Sequence, residues 1–337
     1  MNAFAWTDAT SVKQATGQQT TPVSDAMLVS AKPQTATVFK AGGVDVLDLM
    51  KEHLLQPARV VSVLNLPKMD SIRGEKDGTH LGALVTLADI ERSPELRKSF
   101  AALAEAAAHA ATPQVRNAAT LGGNIMQRPH CWYFRNEAYP CRKKGGTVCY
   151  ANLPGAENKF HAIQGNQTCS APHGSSISTA LLAFDAQLEL TGPKGTRRLS
   201  LEQFFVAPET DVRRENSIQP DELITDVLLP TPVAGTKSWY IKFGERESYD
   251  WAVADVAVVL EQQNGVCSKA RVALGAFAPL PVRVPAAEAA LVGKPLNEDT
   301  ARAAALAAVQ GATPLEQNGY KVPIFQAIVR RAIVGAV

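Results

Sequence analysis

The stretch Asn117–Asn124, NAATLGGN, is a glycine turn that offers backbone donors together with the Thr120 hydroxyl and the Asn124 amide. A second pair of glycines lies in Ala41-Gly42-Gly43, between a β-branched run and an apolar helical pattern. Glycines at such turns let backbone N–H groups approach a phosphate, and a helix N-terminus favours negative charge. Either turn alone is equally explained as a tight connection. Two of them in one domain could grip the two phosphates of a dinucleotide from both sides, with plain tight turns as the alternative, although neither has the GxGxxG spacing of a Rossmann fold.

Around these turns, short apolar runs alternate with helical patterns, which predicts an α+β chain. Before residue 230 the predicted strands and helices are Thr37–Phe39, Val44–Met50, Val60–Leu64, His80–Val85, Phe100–Ala111, Ser176–Leu182 and Gln187–Leu190. After it come strands at Trp239–Phe243, Val253–Leu260 and Ala270–Ala278, and then alanine-rich helices from Pro285. The prolines at Pro230–Pro232 mark a predicted boundary between a domain of residues 1–230 and one of residues 231–337.

The composition excludes some broad classes of function. The chain has 337 residues, of which 46% are hydrophobic and 20% are charged, and its formal net charge is +2. This balance gives no global electrostatic case for binding nucleic acid. No apolar run reaches the roughly 18 residues of a membrane span. Because the N-terminus lacks the pattern of a signal peptide, we expect a cytoplasmic protein, or a periplasmic one exported with a signal-bearing partner.

Together, Ala41–Gly43 and Arg116–Asn124 resemble the FAD-binding subunits of the xanthine dehydrogenase and carbon monoxide dehydrogenase family. Other segments follow in the order that the family shows, so the resemblance spans nearly the whole chain. They are Leu201–Phe205, Pro220–Ile224, Lys242–Phe243 ahead of Arg246, and Gly275–Pro279 ahead of Arg283. The resemblance implies an α+β fold in which two subdomains enclose FAD, like that of vanillyl-alcohol oxidase (the PCMH type). A C-terminal α+β flavoprotein domain follows.

The same resemblance implies which residues bind FAD. They are Val38, Phe39, Lys40, Ala41, Gly42, Gly43, Val44, Asp45 and Val46 in the first loop, Thr120, Leu121, Gly122, Gly123 and Asn124 in the second, and Ile224 and Lys242 beyond them. Two positions depart from the family. Val44 stands where a threonine is usual, and Pro172–Ser175 replaces a Ser-Asp pair, so that His173 either substitutes for the carboxylate or packs in a loop. No residue is assigned a catalytic role, because a flavin carries its own redox chemistry.

Four of the five cysteines, Cys131, Cys141, Cys149 and Cys169, fall in or at the end of the segment 126–169, which lacks apolar periodicity. A structureless segment of about 40 residues is uncommon unless something holds it. Clustered cysteines in a large chain favour a metal site over disulfides. Four thiolates suit an iron–sulfur cluster or a zinc ion, and a loop without metal stays as the third alternative. Cys267 is separate from this group and is interpreted as a bystander.

Basic residues accompany these cysteines and offer charge that could offset a thiolate-bound metal. They are Arg128, Arg135, Arg142, Lys143 and Lys144. The alternative interpretation is that each is a solvated loop charge.

The segment resembles the flavin subunits of periplasmic aldehyde oxidoreductases, which have an extra [4Fe–4S] cluster in this place. Gln127–Arg135 and His161–Ile163 share in that resemblance. It implies a subunit with FAD and a [4Fe–4S] cluster held by the four cysteines. Electrons would come from a large molybdenum-cofactor subunit through [2Fe–2S] clusters of a small subunit as an aldehyde is oxidised. The alternatives are the flavin subunit of a hydroxybenzoyl-CoA reductase and a zinc-stapled assembly module that has lost FAD.

Overall fold

The N-terminal subdomain is built on a parallel sheet of three strands, in the order β1-β3-β2. The structure is a computed structural model that describes residues 2–18, 20–28, 35–246 and 249–336. The elements of this subdomain are β1 (Ala5–Asp8), α1 (Val12–Thr16), α2 (Val23–Ala26), β2 (Thr37–Lys40), α3 (Val44–Lys51) and β3 (Arg59–Ser62). Val38 and Val60 pair across β2 and β3 and are fully buried against Leu49 of α3. Because β2 and β3 are parallel, α3 crosses between them and begins at the carboxyl end of β2.

The second subdomain is an antiparallel sheet of five strands with helices packed on it, in the order β4-β5-β8-β6-β7. Its strands are β4 (Ile72–Glu75), β5 (Gly78–Gly82), β6 (Gln187–Gly192), β7 (Gly195–Ser200) and β8 (Leu223–Leu229). Its helices are α4 (Leu87–Arg92), α5 (Pro94–Ser99), α6 (Ala101–Ala108), α7 (Pro113–Ala118), α8 (Leu121–Ile125), α9 (Ser176–Ala183) and α10 (Leu201–Phe204). The predicted helices near Phe100–Ala111 and Ser176–Leu182 are confirmed as α6 and α9. Every residue of α9 is buried, so this helix forms the centre of the core.

The C-terminal domain places three helices against a four-stranded antiparallel sheet of order β12-β11-β10-β9. The strands are β9 (Lys237–Phe243), β10 (Ala254–Gln263), β11 (Val266–Gly275) and β12 (Val282–Arg283), and the helices are α11 (Pro285–Leu291), α12 (Glu298–Ala308) and α13 (Lys321–Gly335). The β10–β11 hairpin turns at Asn264 and Gly265, whose φ angles are 52° and 78°. Asn-Gly is the pair that tolerates two positive φ angles in a two-residue hairpin loop. No helix in the described ranges is long and apolar enough to cross a membrane.

The two halves of the chain meet along a shared core. Tyr240 and Ala257 of the C-terminal sheet belong to the same buried cluster as the residues of α9. At the edge of this contact, the Asp185 carboxylate accepts hydrogen bonds from Arg271 at 3.0 Å and from Arg283 at 2.8 Å. The halves therefore form one packed unit that can enclose a site between them.

The segment 126–169 has two short 3-10 helices, Arg142–Lys144 and Tyr150–Asn152, and is otherwise irregular. A buried ion cluster holds it in place. The Glu215 carboxylate accepts hydrogen bonds from Arg128 Nε at 3.0 Å and from Lys143 Nζ at 2.7 Å. The interpretation of solvated loop charges is wrong for Arg128, Lys143 and Lys144, each of which is only 3% exposed. Burial by itself raises the pKa of the Glu215 carboxyl. The charges of Arg128 and Lys143 outweigh that effect and lower the pKa to about 2.

We predict that Glu215→Gln destabilises the chain by about 3–5 kcal/mol, because it leaves two buried cations without their counter-charge. Urea unfolding at neutral pH measures the change, and the exposed Glu209→Gln is the matched control. Since the folded-state pKa of Glu215 lies below the usual 4.5, its contribution is present above that pH and is lost as the pH falls towards 2. The gap between wild type and Glu215→Gln should therefore close over that range. Equal stability of the two variants at pH 7 would contradict the assignment.

Candidate cofactor sites

Both glycine turns line one large cavity, here called the first cavity, with a volume of about 560 Å³. From the turns it is lined by Phe39, Ala41, Gly42, Gly43, Val44, Asp45, Val46, Thr120, Gly122, Gly123 and Asn124. Ile224 and neighbouring residues at the start of β8 form part of the wall. The structure thus brings together most of the residues that the sequence assigns to one cofactor.

The first turn leaves the N-terminus of α3 open towards a ligand. Gly43 occupies the N-cap with a φ of +84°, and no side chain caps the helix. The first N–H groups of an α-helix have no partner within the helix, so they are free to bind an anion. Because Gly42 has no side chain, this turn can pack closely against the second one. A Cβ at Gly42 would lie 1.9 Å from the Ala118 carbonyl oxygen.

The second turn differs from expectation, because its backbone donors are already used. Leu121 donates its N–H to Val85, and Gly122 donates to Ala83, both at 2.8 Å. The Thr120 hydroxyl accepts from the Gly123 N–H and so caps α8. The prediction of free backbone donors here is therefore wrong, since they close the turn itself, whereas Thr120 lines the first cavity and its hydroxyl only accepts within the turn. Asn124, whose Oδ1 accepts from the Ser175 hydroxyl at 2.6 Å, keeps its amide N–H₂ beside the cavity.

All four clustered cysteines line one small space of about 20 Å³, here called the cysteine cavity. In the described ranges all five cysteines are free, and Cys267 lies apart from the four, in β11. Burial raises the pKa of the Cys131 thiol to about 12. The Cys169 thiol donates a hydrogen bond to Cys149, which lowers the pKa of Cys149 to about 6 and raises that of Cys169.

A second cavity of about 340 Å³ lies between the other two. It shares His130 and Trp251 with the first cavity and Cys131 with the cysteine cavity. The rings of His130 and Trp251 stack with centroids 3.8 Å apart and form the common wall. Its lining also includes His161, whose Nε2 lies 3.2 Å from the Cys131 Sγ. Sequence reasoning assigned no role to either contact, because each joins residues that are far apart in the chain.

Comparisons with known proteins agree with this geometry. A family described as the FAD binding domain in molybdopterin dehydrogenase matches residues 2–232, and the CO dehydrogenase flavoprotein C-terminal domain matches residues 239–335. The aldehyde oxidoreductase FAD-binding subunit PaoB of Escherichia coli is 35% identical, over 80% of this chain and 83% of that protein. The carbon monoxide dehydrogenase medium chain of Hydrogenophaga pseudoflava is 27% identical, over 88% of each chain.

A solved structure of carbon monoxide dehydrogenase from the same organism superposes with a TM-score of 0.74 at 27% identity, covering 99% of this chain and 97% of the other. The chain belongs to the family of FAD-binding subunits of molybdopterin dehydrogenases. It is therefore an FAD-binding subunit of an oxidoreductase, and the expected fold of FAD-binding and flavoprotein domains is confirmed.

The first cavity fits FAD. Its volume suits a long ligand, and the uncapped α3 N-terminus supplies donors for a pyrophosphate. Ile224 lines the cavity, whereas four of the predicted residues do not: Val38, Lys40, Leu121 and Lys242. Val38 and Leu121 are fully buried in the core, and Lys242 Nζ donates to the carbonyls of His109 and Asp250 at 2.7 Å each. Contact of these four with FAD stays a prediction.

His173 packs in the loop, as one of the two interpretations of this residue had it. It is 5% exposed, and its Nδ1 accepts from the Ser175 N–H at 3.2 Å. Burial lowers its pKa to about 4, so the ring is neutral at neutral pH and offers no charge in place of a carboxylate.

We predict that Gly42→Ala weakens FAD binding by about tenfold or more, equivalent to about 1.4 kcal/mol. The added Cβ would collide with the Ala118 carbonyl and force the two glycine turns apart. Flavin absorbance per chain and FAD titration of the deflavinated protein measure the effect. Gly319→Ala is the matched control, since a Cβ there meets open space. Full flavin content and unchanged affinity in Gly42→Ala would contradict the role given to this contact.

Proposed function

We propose that this chain is the FAD- and [4Fe–4S]-containing electron-transfer subunit of a molybdenum-dependent aldehyde oxidoreductase. The observation that carries the proposal is the convergence of Cys131, Cys141, Cys149 and Cys169 on one cavity, separated by a single further cavity from the one that fits FAD. When bound, FAD supplies a store for two electrons that can leave singly or as a pair.

The spacing of the four cysteines along the chain favours an iron–sulfur cluster over zinc, because long, unequal segments separate them and no CxxC pair is present. Thiolates on one zinc ion at about 2.3 Å lie about 3.8 Å from one another. Among the described residues, the one group of three or more candidate ligands within 4.8 Å of each other is Glu75, Asp77 and His80, and no cysteine belongs to it. A cluster of four irons holds its thiolates further apart than one ion does. Cys149 and Cys169 are hydrogen-bonded to each other, but no three of the described cysteines have the mutual spacing that a single zinc ion needs.

Charge around the cysteine cavity favours an anionic centre. Lys144 is buried, and its Nζ donates to the backbone carbonyls of Tyr133 and Asn136, at 3.5 and 2.5 Å. No salt bridge to Lys144 occurs in the described part of the chain. Burial lowers the pKa of the Lys144 amine, and negative charge on Cys141, Cys131 and Glu137 opposes that effect. A thiolate-bound cluster supplies that negative charge permanently.

The substrate class and the partners are proposed from the relatives. PaoB is named as a subunit of an aldehyde oxidoreductase, and the other relative is named as a medium chain. We infer that this chain assembles with a large molybdenum-cofactor subunit and a small [2Fe–2S] subunit, which together oxidise an aldehyde to a carboxylic acid. Electrons from that reaction reach this chain through the small subunit.

The wall shared by the first and second cavities supports a role for the proposed cluster as an electron relay. His130 is adjacent to Cys131 in sequence, and its ring stacks on Trp251 at the edge of the first cavity. Only this wall and the second cavity separate Cys131 from the cavity that fits FAD. A purely structural staple would need no such proximity.

We predict that Cys131→Ser, purified anaerobically with its partner subunits, loses about four iron and four sulfide per chain relative to wild type. The control is Cys267→Ser, which lies in the C-terminal sheet and should keep all of them. Metal and acid-labile sulfide analysis with the absorbance spectrum gives the result. Zinc in place of iron, or equal iron in both variants, would refute the cluster. Full turnover in a Cys131→Ser complex without the cluster would refute the relay.

A separate prediction concerns the substrate. The assembled complex should reduce an artificial acceptor with aromatic or aliphatic aldehydes and should bleach its own flavin absorbance anaerobically when an aldehyde is added. Xanthine and carbon monoxide serve as control substrates of the wider family. Bleaching by either control, but by no aldehyde, would reject the aldehyde proposal and leave the FAD assignment intact.

A further inference from the structure

His161 lies in direct contact with one of the four clustered cysteines. Its Nε2 is 3.2 Å from the Cys131 Sγ, and the residue is 2% exposed. Aromatic rings enclose the imidazole, with the Trp132 centroid at 5.6 Å and the Tyr133 centroid at 6.2 Å. The imidazole is therefore largely removed from water, and a hydrogen bond in such surroundings is electrostatically stronger than in water.

The surroundings of the ring decide which nitrogen has the proton. The Nδ1 atom is buried and has no hydrogen-bond partner among the described residues. A neutral imidazole has one N–H donor and one bare acceptor nitrogen. Buried N–H groups without a partner are rarer in proteins than acceptors without one, so the proton belongs on Nε2, facing Cys131. His161 is thus an N–H donor to this sulfur.

The backbone of His161 is anchored to the C-terminal domain. Its carbonyl accepts hydrogen bonds from Lys321 Nζ at 3.0 Å and from Asn318 Nδ2 at 3.1 Å. Lys321 is fully buried at the start of α13 and also donates to the Ala276 carbonyl. These contacts fix the backbone of His161 independently of any group bound to the cysteines.

We propose that His161 is a positioning residue that donates a hydrogen bond from Nε2 to the Cys131 thiolate and raises the reduction potential of the centre held by the four cysteines. The inference rests on the proposed [4Fe–4S] cluster. Reduction of such a centre adds one electron and no atom, so its charge becomes more negative by one. Hydrogen bonds to the sulfurs stabilise the more negative state and are among the factors that set the potential of these centres.

The hydrogen bond from His161 acts on Cys131, and the position of this cysteine among the three cavities matters for the proposal. Cys131 is the member of the four that also lines the second cavity, beyond which lie His130 and Trp251 at the edge of the first cavity. A donor on this sulfur acts on the ligand that faces FAD. It therefore adjusts the step between the cluster and the flavin.

The test compares the wild-type complex with His161→Leu, which removes the donor, and with His161→Gln, whose amide N–H₂ reaches about as far as Nε2. The control is His109→Leu, the same substitution at an exposed histidine. An EPR-monitored redox titration of the assembled complex measures the midpoint potential of the cluster. We expect His161→Leu to disfavour reduction by tenfold or more, which corresponds to about 59 mV more negative for a one-electron couple. His161→Gln should recover most of that change, and His109→Leu should show none.

Full iron with the same potential in all four proteins would overturn the role of His161 but leave the cluster in place. Absence of iron from the wild-type chain would instead overturn the proposed function itself. Should His161→Leu fail to fold, electron–nuclear double resonance on the reduced wild-type complex decides the matter. An exchangeable proton, lost in D₂O, together with a coupled histidine nitrogen seen after ¹⁵N-histidine labelling, supports the hydrogen bond. Their absence refutes it.

Discussion

One buried carboxylate holds the cysteine-rich segment against the wall of the first cavity. Glu215 is 5% exposed and forms ion pairs with both Arg128 and Lys143 of that segment. Charges in such a setting are costly to desolvate unless each has a partner in good geometry. Glu215 and Arg128 also line the first cavity, while Lys143 lines the cysteine cavity. The cost of burying these charges is therefore offset only when the long segment is folded back onto the FAD-binding domain.

Sequence alone predicted the features that depend on residues close together in the chain. Reading the sequence is enough to find the two glycine turns, the alanine-rich α6 and the group of four cysteines, because none of them depends on a tertiary contact. The uncapped start of α3 follows from Gly43 standing where a capping side chain would. The closed second turn did not follow, because its donors are used by Ala83 and Val85, a contact across about 35 residues of chain.

Long-range contacts explain the rest of what the sequence did not predict. Lys144 looks like a surface residue in a polar stretch, and only the folded chain shows it buried against backbone carbonyls. His161 and Cys131 are 30 residues apart, and Trp251 comes from the other domain to stack on His130. Periodicity predicts which face of an element is buried, but it has no information about an irregular segment whose position is set by its partners. The cysteine-rich segment is such a case.

The departure from the family at Pro172–Ser175 has a physical explanation in the same place. Gly174 lies within this stretch, and a Cβ there would lie 3.0 Å from the Trp251 ring, 2.9 Å from the Gln127 side-chain oxygen and 3.4 Å from the His130 ring. A carboxylate at this position would need the space that the stacked rings occupy. The absence of a side chain at Gly174 and the presence of the His130–Trp251 wall therefore depend on each other sterically. This wall separates the first cavity from the second cavity, which Cys131 also lines.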